Sequence, residues 1–167
     1  MAATVSISET NGAGGTVTAS ITNTNMGSVD AVNLDPVTYP IDAGENSYTK
    51  YQRFNVTNMG GSSAIKTLKV WRTGDLGGSA THVTNAGETT DYTAKTYATP
   101  TTSSVAGVDN ILPITEPSTA NLGIGSSLTG VLTDIGYSDY LVHQIVTDAA
   151  DIAGSTSTLN FQYDEVA

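Results

Sequence analysis

The chain has 167 residues, 38% of them hydrophobic and 13% charged, with 16 acids against six bases and a formal net charge of −10. That length suits one domain burying roughly two-thirds of its unfolded surface without staples. The absence of cysteine excludes disulfides, thiolate metal sites and thiol catalysis, and the acidic balance argues against nucleic-acid and anionic-membrane partners, which require clustered Lys and Arg.

Thr, Ser, Gly and Asn take the place of the missing charges, a composition suited to pleated surfaces and turns. The opening stretch MAATVSISET has neither a basic n-region nor an apolar h-region, so synthesis in the cytoplasm without a secretory signal is expected. Nor does any apolar run approach the ~18 residues of a membrane span.

Val5, Ile7 and Glu9 alternate with Thr4, Ser6 and Ser8, which predicts a first strand ending before Asn11-Gly12. Val17 to Asn23 repeats the pattern, and residues 29 to 42, with two prolines, read as an irregular edge strand. Tyr48 to Thr57 is a strong strand with Phe54 and Val56 on one face. Asn58 to Ser63 then reads as a hairpin loop, with Ile65 to Arg72 as the returning strand. From Gly74 to Gly125 the signal weakens; only 82–83, 92–97 and 111–114 look extended, so the segment is expected to hold a hairpin or two or to project as an arm. Tyr140 to Thr147 is apolar on both faces, as a central strand is. Residues 148–153 suit a single turn, and Leu159, Phe161 and Tyr163 mark a last strand. The fold class expected is all-β: an antiparallel immunoglobulin-like sandwich forming one domain over 1–167, with 74–125 as a loop-rich insertion.

Five of the six basic residues, Lys50, Arg53, Lys66, Lys69 and Arg72, fall between positions 50 and 72. A symmetric hairpin there directs Phe54, Leu68 and Val70 into the core. It also sets Tyr51 beside Trp71 and Arg53 beside Lys69 on the outward face. Like charges placed opposite each other need counter-charge. Either the chain's own acids supply it, such as Asp42, Glu45 or Asp75, or the face docks on an acidic partner, another copy included. Aromatics beside Arg suit an interface centre, which makes Tyr51, Arg53, Lys69 and Trp71 candidate partner-binding residues. The apolar stretch Ile111, Leu112 and Ile114 in the weak segment joins them.

Catalytic patterns are missing from the sequence. The Ser-rich turns at 60–63 and 123–127 match neither a nucleophile elbow nor a phosphate loop. Of the two histidines, His143 reads as a satisfied strand residue and His82 as solvated. Asp30, Asp35, Asp42 and Glu45, or Asp148 and Asp151, offer oxygen ligands for calcium but lack EF-hand spacing, so no metal or cofactor is assigned.

The runs Gly27-Ser28-Val29-Asp30, Tyr39-Pro40-Ile41-Asp42-Ala43-Gly44 and Tyr51-Gln52-Arg53-Phe54-Asn55-Val56-Thr57-Asn58 resemble small immunoglobulin-like virion proteins of tailed phages. The ending Asn160-Phe161-Gln162-Tyr163-Asp164-Glu165 adds to the likeness; residues 74–125 lie outside it. The resemblance implies a non-enzymatic capsid decoration or auxiliary protein located in the virion. It also implies homo-oligomers and docking on the major capsid protein or another virion protein, with avidity from many copies. The alternative is a carbohydrate-binding or host-recognition module using Trp71 and exposed tyrosines.

Overall fold

The computed structural model describes residues 1–87, 92–151 and 154–167. Its alternating segments each expose one apolar face, and two sheets form by packing those faces together. The strands are β1 (Thr4–Asn11), β2 (Thr16–Thr18), β3 (Lys50–Asn58), β4 (Ala64–Thr73), β5 (Thr81–Thr84), β6 (Asn110–Ile111), β7 (Val131–Leu132), β8 (Gly136–Tyr137), β9 (Leu141–Val146) and β10 (Thr158–Val166). The larger sheet runs β2-β1-β3-β9-β5-β6, with β8 also on β3; the smaller runs β10-β4-β7. All pairings are antiparallel, and no helix occurs among the described residues. The fold is an all-β sandwich.

Its main core joins Phe54 and Val56 of β3 and Leu141 of β9 to Ile65, Leu68 and Val70 of β4, with Leu112, Leu122 and Ile124 from loops. The expected inward placement of Phe54, Leu68 and Val70 is therefore present, but the hairpin is not. β3 and β4 lie in different sheets: β3 takes β1 on one edge and β9 and β8 on the other, while β4 pairs with β10 and β7. The reason is burial. Both strands carry a strong apolar face, and those faces cover each other across the sandwich instead of lying side by side. The loop between them crosses from sheet to sheet at Gly60 (φ 61°), where an added Cβ would strike the Met1 and Ala2 carbonyls.

The weak segment packs against the larger sheet. Val105 and Val108 cover its outer face together with Tyr97, forming a second cluster with Tyr51, Tyr140, Val142 and Val83. Tyr51 meets Tyr97 edge-on at 5.1 Å and Tyr140 at 5.8 Å. Gln144 of β9 donates to the Ser47 carbonyl at 2.9 Å and the Thr102 carbonyl at 3.2 Å, tying the cover down. Sheet residues of β3 and β9 are thus buried on both faces, which explains the apolar character of both faces of β9. Further along, Asn121 (0% exposed) receives the Val70 N–H at 2.8 Å and donates to its carbonyl at 2.7 Å. It thereby extends the edge of β4 that β7 pairs only at Ile65 and Lys66 among the described residues.

Two other expectations are revised. Residues 29–42 form turns and bends, not an edge strand, as their two prolines limit ladder donors. The turn expected over 148–153 begins with an Asp151 N–H to Asp148 carbonyl bond, but its end falls on residues outside the described ones.

Candidate functional site

The inward face of the larger sheet changes character along its length. Where Val5, Ile7, Phe54 and Val56 point inward the core is apolar; one and two pleats further on, the same face carries Glu9, Lys50, Gln52, His82 and His143. All five are buried, Glu9 and Gln52 at 0% exposure. The strand registers bring them together, since Glu9 faces Gln52, Lys50 faces His143 and His82 faces Ile145.

They form one connected chain. Lys50 Nζ lies 2.6 Å from Glu9 Oε1 and 2.9 Å from the Ala31 carbonyl. Gln52 donates to Glu9 Oε2 at 2.8 Å, so its own oxygen faces His143 Nε2 at 3.0 Å and accepts from it. That assigns the proton of His143 to Nε2, leaving Nδ1 as acceptor for His82 Nε2–H at 2.7 Å. His82 Nδ1 is then an acceptor, buried and unpartnered among the described residues. Burial, reinforced by Arg72, lowers the His82 pKa to about 4. Burial, His82 and Lys50 hold His143 well below the ordinary imidazole value. Both rings are neutral at pH 7, stacked with centroids 5.0 Å apart. The expectation of a solvated His82 is corrected: β5 pairs with β9 and buries the ring at 5% exposure.

The two imidazoles form part of the floor of a cleft of about 460 Å³ between the start of β10 and the loops over 24–43 and 76–80, with Ile145, Ile41 and Leu159 as apolar walls. This volume falls in the ~300–1,000 Å³ range of small-molecule sites. The cleft exists because the smaller sheet, with three strands among the described residues, leaves this half of the larger one to loops.

The sequence-derived docking residues do not form one face. Tyr51 and Arg53 point to the outer side of the larger sheet, Lys69 and Trp71 to the outer side of the smaller one, because their inward neighbours share a core. Tyr51 is 2% exposed under the Tyr97 cover. Lys69 pairs with Glu116 at 2.9 Å and Lys50 with Glu9, so the chain's own acids supply counter-charge to these two lysines, through residues other than Asp42, Glu45 or Asp75. Of the apolar stretch, Leu112 is buried at 1% while Ile111 and Ile114 are 55% and 61% exposed. Arg53 is partly buried, with its guanidinium carbon 3.7 Å from the Tyr140 ring centroid and 5.7 Å from that of Tyr137. Tyr137 is 44% exposed and Ile135 61%. Tyr137 reaches this face because β8 pairs with Asn55 and Val56, a pairing that a two-residue strand does not announce in sequence.

Four of the carboxylates considered for calcium, those of Asp30, Asp35, Asp148 and Asp151, accept hydrogen bonds from protein groups. Asp30 accepts from Asn11 Nδ2 at 2.6 Å and the Gly12 N–H at 2.7 Å; Asp151 accepts from the Ser79 and Ala80 N–H groups. No cluster of three or more potential His, Asp or Glu metal ligands occurs among the described residues.

Compared with known proteins, the chain matches no family model, no curated protein and no solved structure.

Proposed function

We propose that the protein is a non-enzymatic virion structural protein of the capsid decoration type, binding the outside of a shell as a homo-oligomer. The observation that supports this reading best is the patch on the outer side of the larger sheet. There Arg53 has its guanidinium carbon 3.7 Å from the Tyr140 ring centroid and 5.7 Å from that of the exposed Tyr137, and the exposed Ile135 lies two residues before Tyr137 in the chain. Aromatic and Arg anchors with a rigid backing are the composition of interface centres. The Arg53 stem is already ordered, so docking costs little further side-chain entropy. The occupant is the major capsid protein or another virion protein presenting an acidic, partly apolar surface to Arg53.

The test is co-sedimentation with particles lacking the protein. The double variant Ile135→Ser/Tyr137→Ala, altered at exposed positions, is expected to lower occupancy at least tenfold, the equivalent of about 1.4 kcal/mol per site. Unchanged stoichiometry on purified particles refutes the reading.

The cleft supports a second reading, a carbohydrate-binding or host-recognition module, in which a neutral hydroxyl-bearing ligand occupies the space beside His82 and Leu159. Glycan-array binding by the isolated protein, with no co-sedimentation, favours that alternative.

A further inference from the structure

We propose that Lys50 and Asn11 become joined by an isopeptide bond, with Glu9 as the group that moves the protons, so that β3 is covalently stapled to β1. The inference is independent of what the protein docks on.

Three observations carry it. First, Lys50 and Glu9 are buried together, at 3% and 0% exposure, where an ion pair regains little of the solvation it has lost. Second, one oxygen touches both nitrogens of the reaction: Glu9 Oε1 lies 2.6 Å from Lys50 Nζ and 3.0 Å from Asn11 Nδ2. Asn11 stands one step beyond the Thr10–Tyr51 pair of the β1–β3 ladder, on the same face as Glu9 and across from Lys50. Third, the amide is held in place but incompletely satisfied. Asp30 accepts from Nδ2 at 2.6 Å, while Asn11 Oδ1 is buried without a hydrogen-bond partner. Gln52 holds the other oxygen of Glu9 at 2.8 Å, so the carboxylate is fixed in orientation as well as in position.

The step balances without a co-reactant. Glu9 takes one proton from the Lys50 ammonium, which frees the Nζ lone pair to attack Asn11 Cγ. As the Nζ–Cγ bond forms, a second proton passes through Glu9 Oε1 to Nδ2, the Cγ–Nδ2 bond breaks and ammonia leaves. The third proton stays on the new amide nitrogen. Glu9 ends as a neutral carboxylic acid whose hydroxyl can donate to Oδ1, so a buried ion pair and an unsatisfied carbonyl give way to a neutral hydrogen-bonded set. In a chain without cysteine, such a bond supplies the constraint that a disulfide supplies elsewhere.

Intact-mass measurement of the purified full chain under denaturing conditions tests this, because the covalent readout survives unfolding. The mass is expected to fall below the sequence mass by one ammonia, about 17 Da. Trypsin, blocked at the acylated Lys50, should release a peptide running through to Arg53. Lys50→Arg and Asn11→Ala should restore the full mass expected for each variant, and Glu9→Gln should leave Lys50 open to trypsin. A wild-type chain with full mass and normal cleavage after Lys50 overturns the proposal. So does an ammonia loss that persists in Lys50→Arg, since that marks cyclisation at Asn11-Gly12.

Discussion

Acidification is the perturbation that reads the buried histidine pair most directly. In the unfolded chain His82 titrates near its ordinary value of 6.5; in the folded chain burial lowers it to about 4. Above pH 6.5 both states hold the ring neutral and the group has no effect on stability. As pH falls below 6.5 the unfolded state gains a proton that the folded state refuses, and stability declines until the folded ring also titrates near 4. Between about pH 7.5 and pH 5 this amounts to about 2 kcal/mol for His82. His143, lowered still more firmly by burial and by His82, adds to the loss with the same sign. These are the only two histidines in the chain, and imidazole is the side chain whose ordinary pKa lies inside this interval. Asp35, Asp151 and Glu165 have lowered pKa values owing chiefly to hydrogen bonds from Thr38, the Asp148 backbone and Ser62. Their contribution is present above the ordinary carboxylate range and is lost mainly at pH values below about 4.5. Urea melts at intervals of half a pH unit should show the midpoint falling through this window, and His82→Gln should reduce the slope of stability against pH. Equal midpoints at pH 7.5 and pH 5 would refute the reasoning, because they would mean that the rings reach solvent or carry charge in the folded state.

Two stability predictions rest on single contacts. Asn121→Ala leaves the Val70 N–H and carbonyl unpaired in the interior; at ~1–3 kcal/mol for each buried orphan, the loss should be about 3 kcal/mol by urea unfolding, and a loss under 1 kcal/mol would show that the edge of β4 is wet. Gly60→Ala combines positive φ with a Cβ against the Met1 and Ala2 carbonyls, so it should lower the melting temperature by several degrees. An unchanged melting temperature would mean that the loop crossing between sheets has freedom to move.

Much of the sandwich was legible because period-two alternation encodes which face of a strand is buried. Val5 and Ile7, Phe54 and Val56, Leu141 and Ile145, and Phe161 and Tyr163 all lie on the faces their phase predicts. The polar chain was also written there in phase. Glu9 continues Val5–Ile7, Lys50 and Gln52 continue Phe54–Val56, and His143 sits between Leu141 and Ile145. Each is a polar residue at a position that the pattern assigns to the core. Read one strand at a time, such a residue looks like the end of a strand or a solvated head, since its partner lies on another strand. The expected β3–β4 hairpin does not form, and the sequence leaves this open for a related reason. A six-residue Gly-rich loop between two apolar strands suits either a turn within one sheet or a crossing between two, and local sequence does not distinguish them.

Alternation, turn residues and the lack of cysteine were thus enough to determine an all-β chain and the facing of its main strands, because side-chain direction along a strand is a local property. Which strands became neighbours was decided only by the tertiary structure. So were the burial of Tyr51 beneath Tyr97, the union of Glu9, Lys50, Gln52, His143 and His82, and the exposure of Tyr137 beside Arg53. Those outcomes depend on long-range competition to cover apolar faces and pair buried polar groups, and no single segment carries that information.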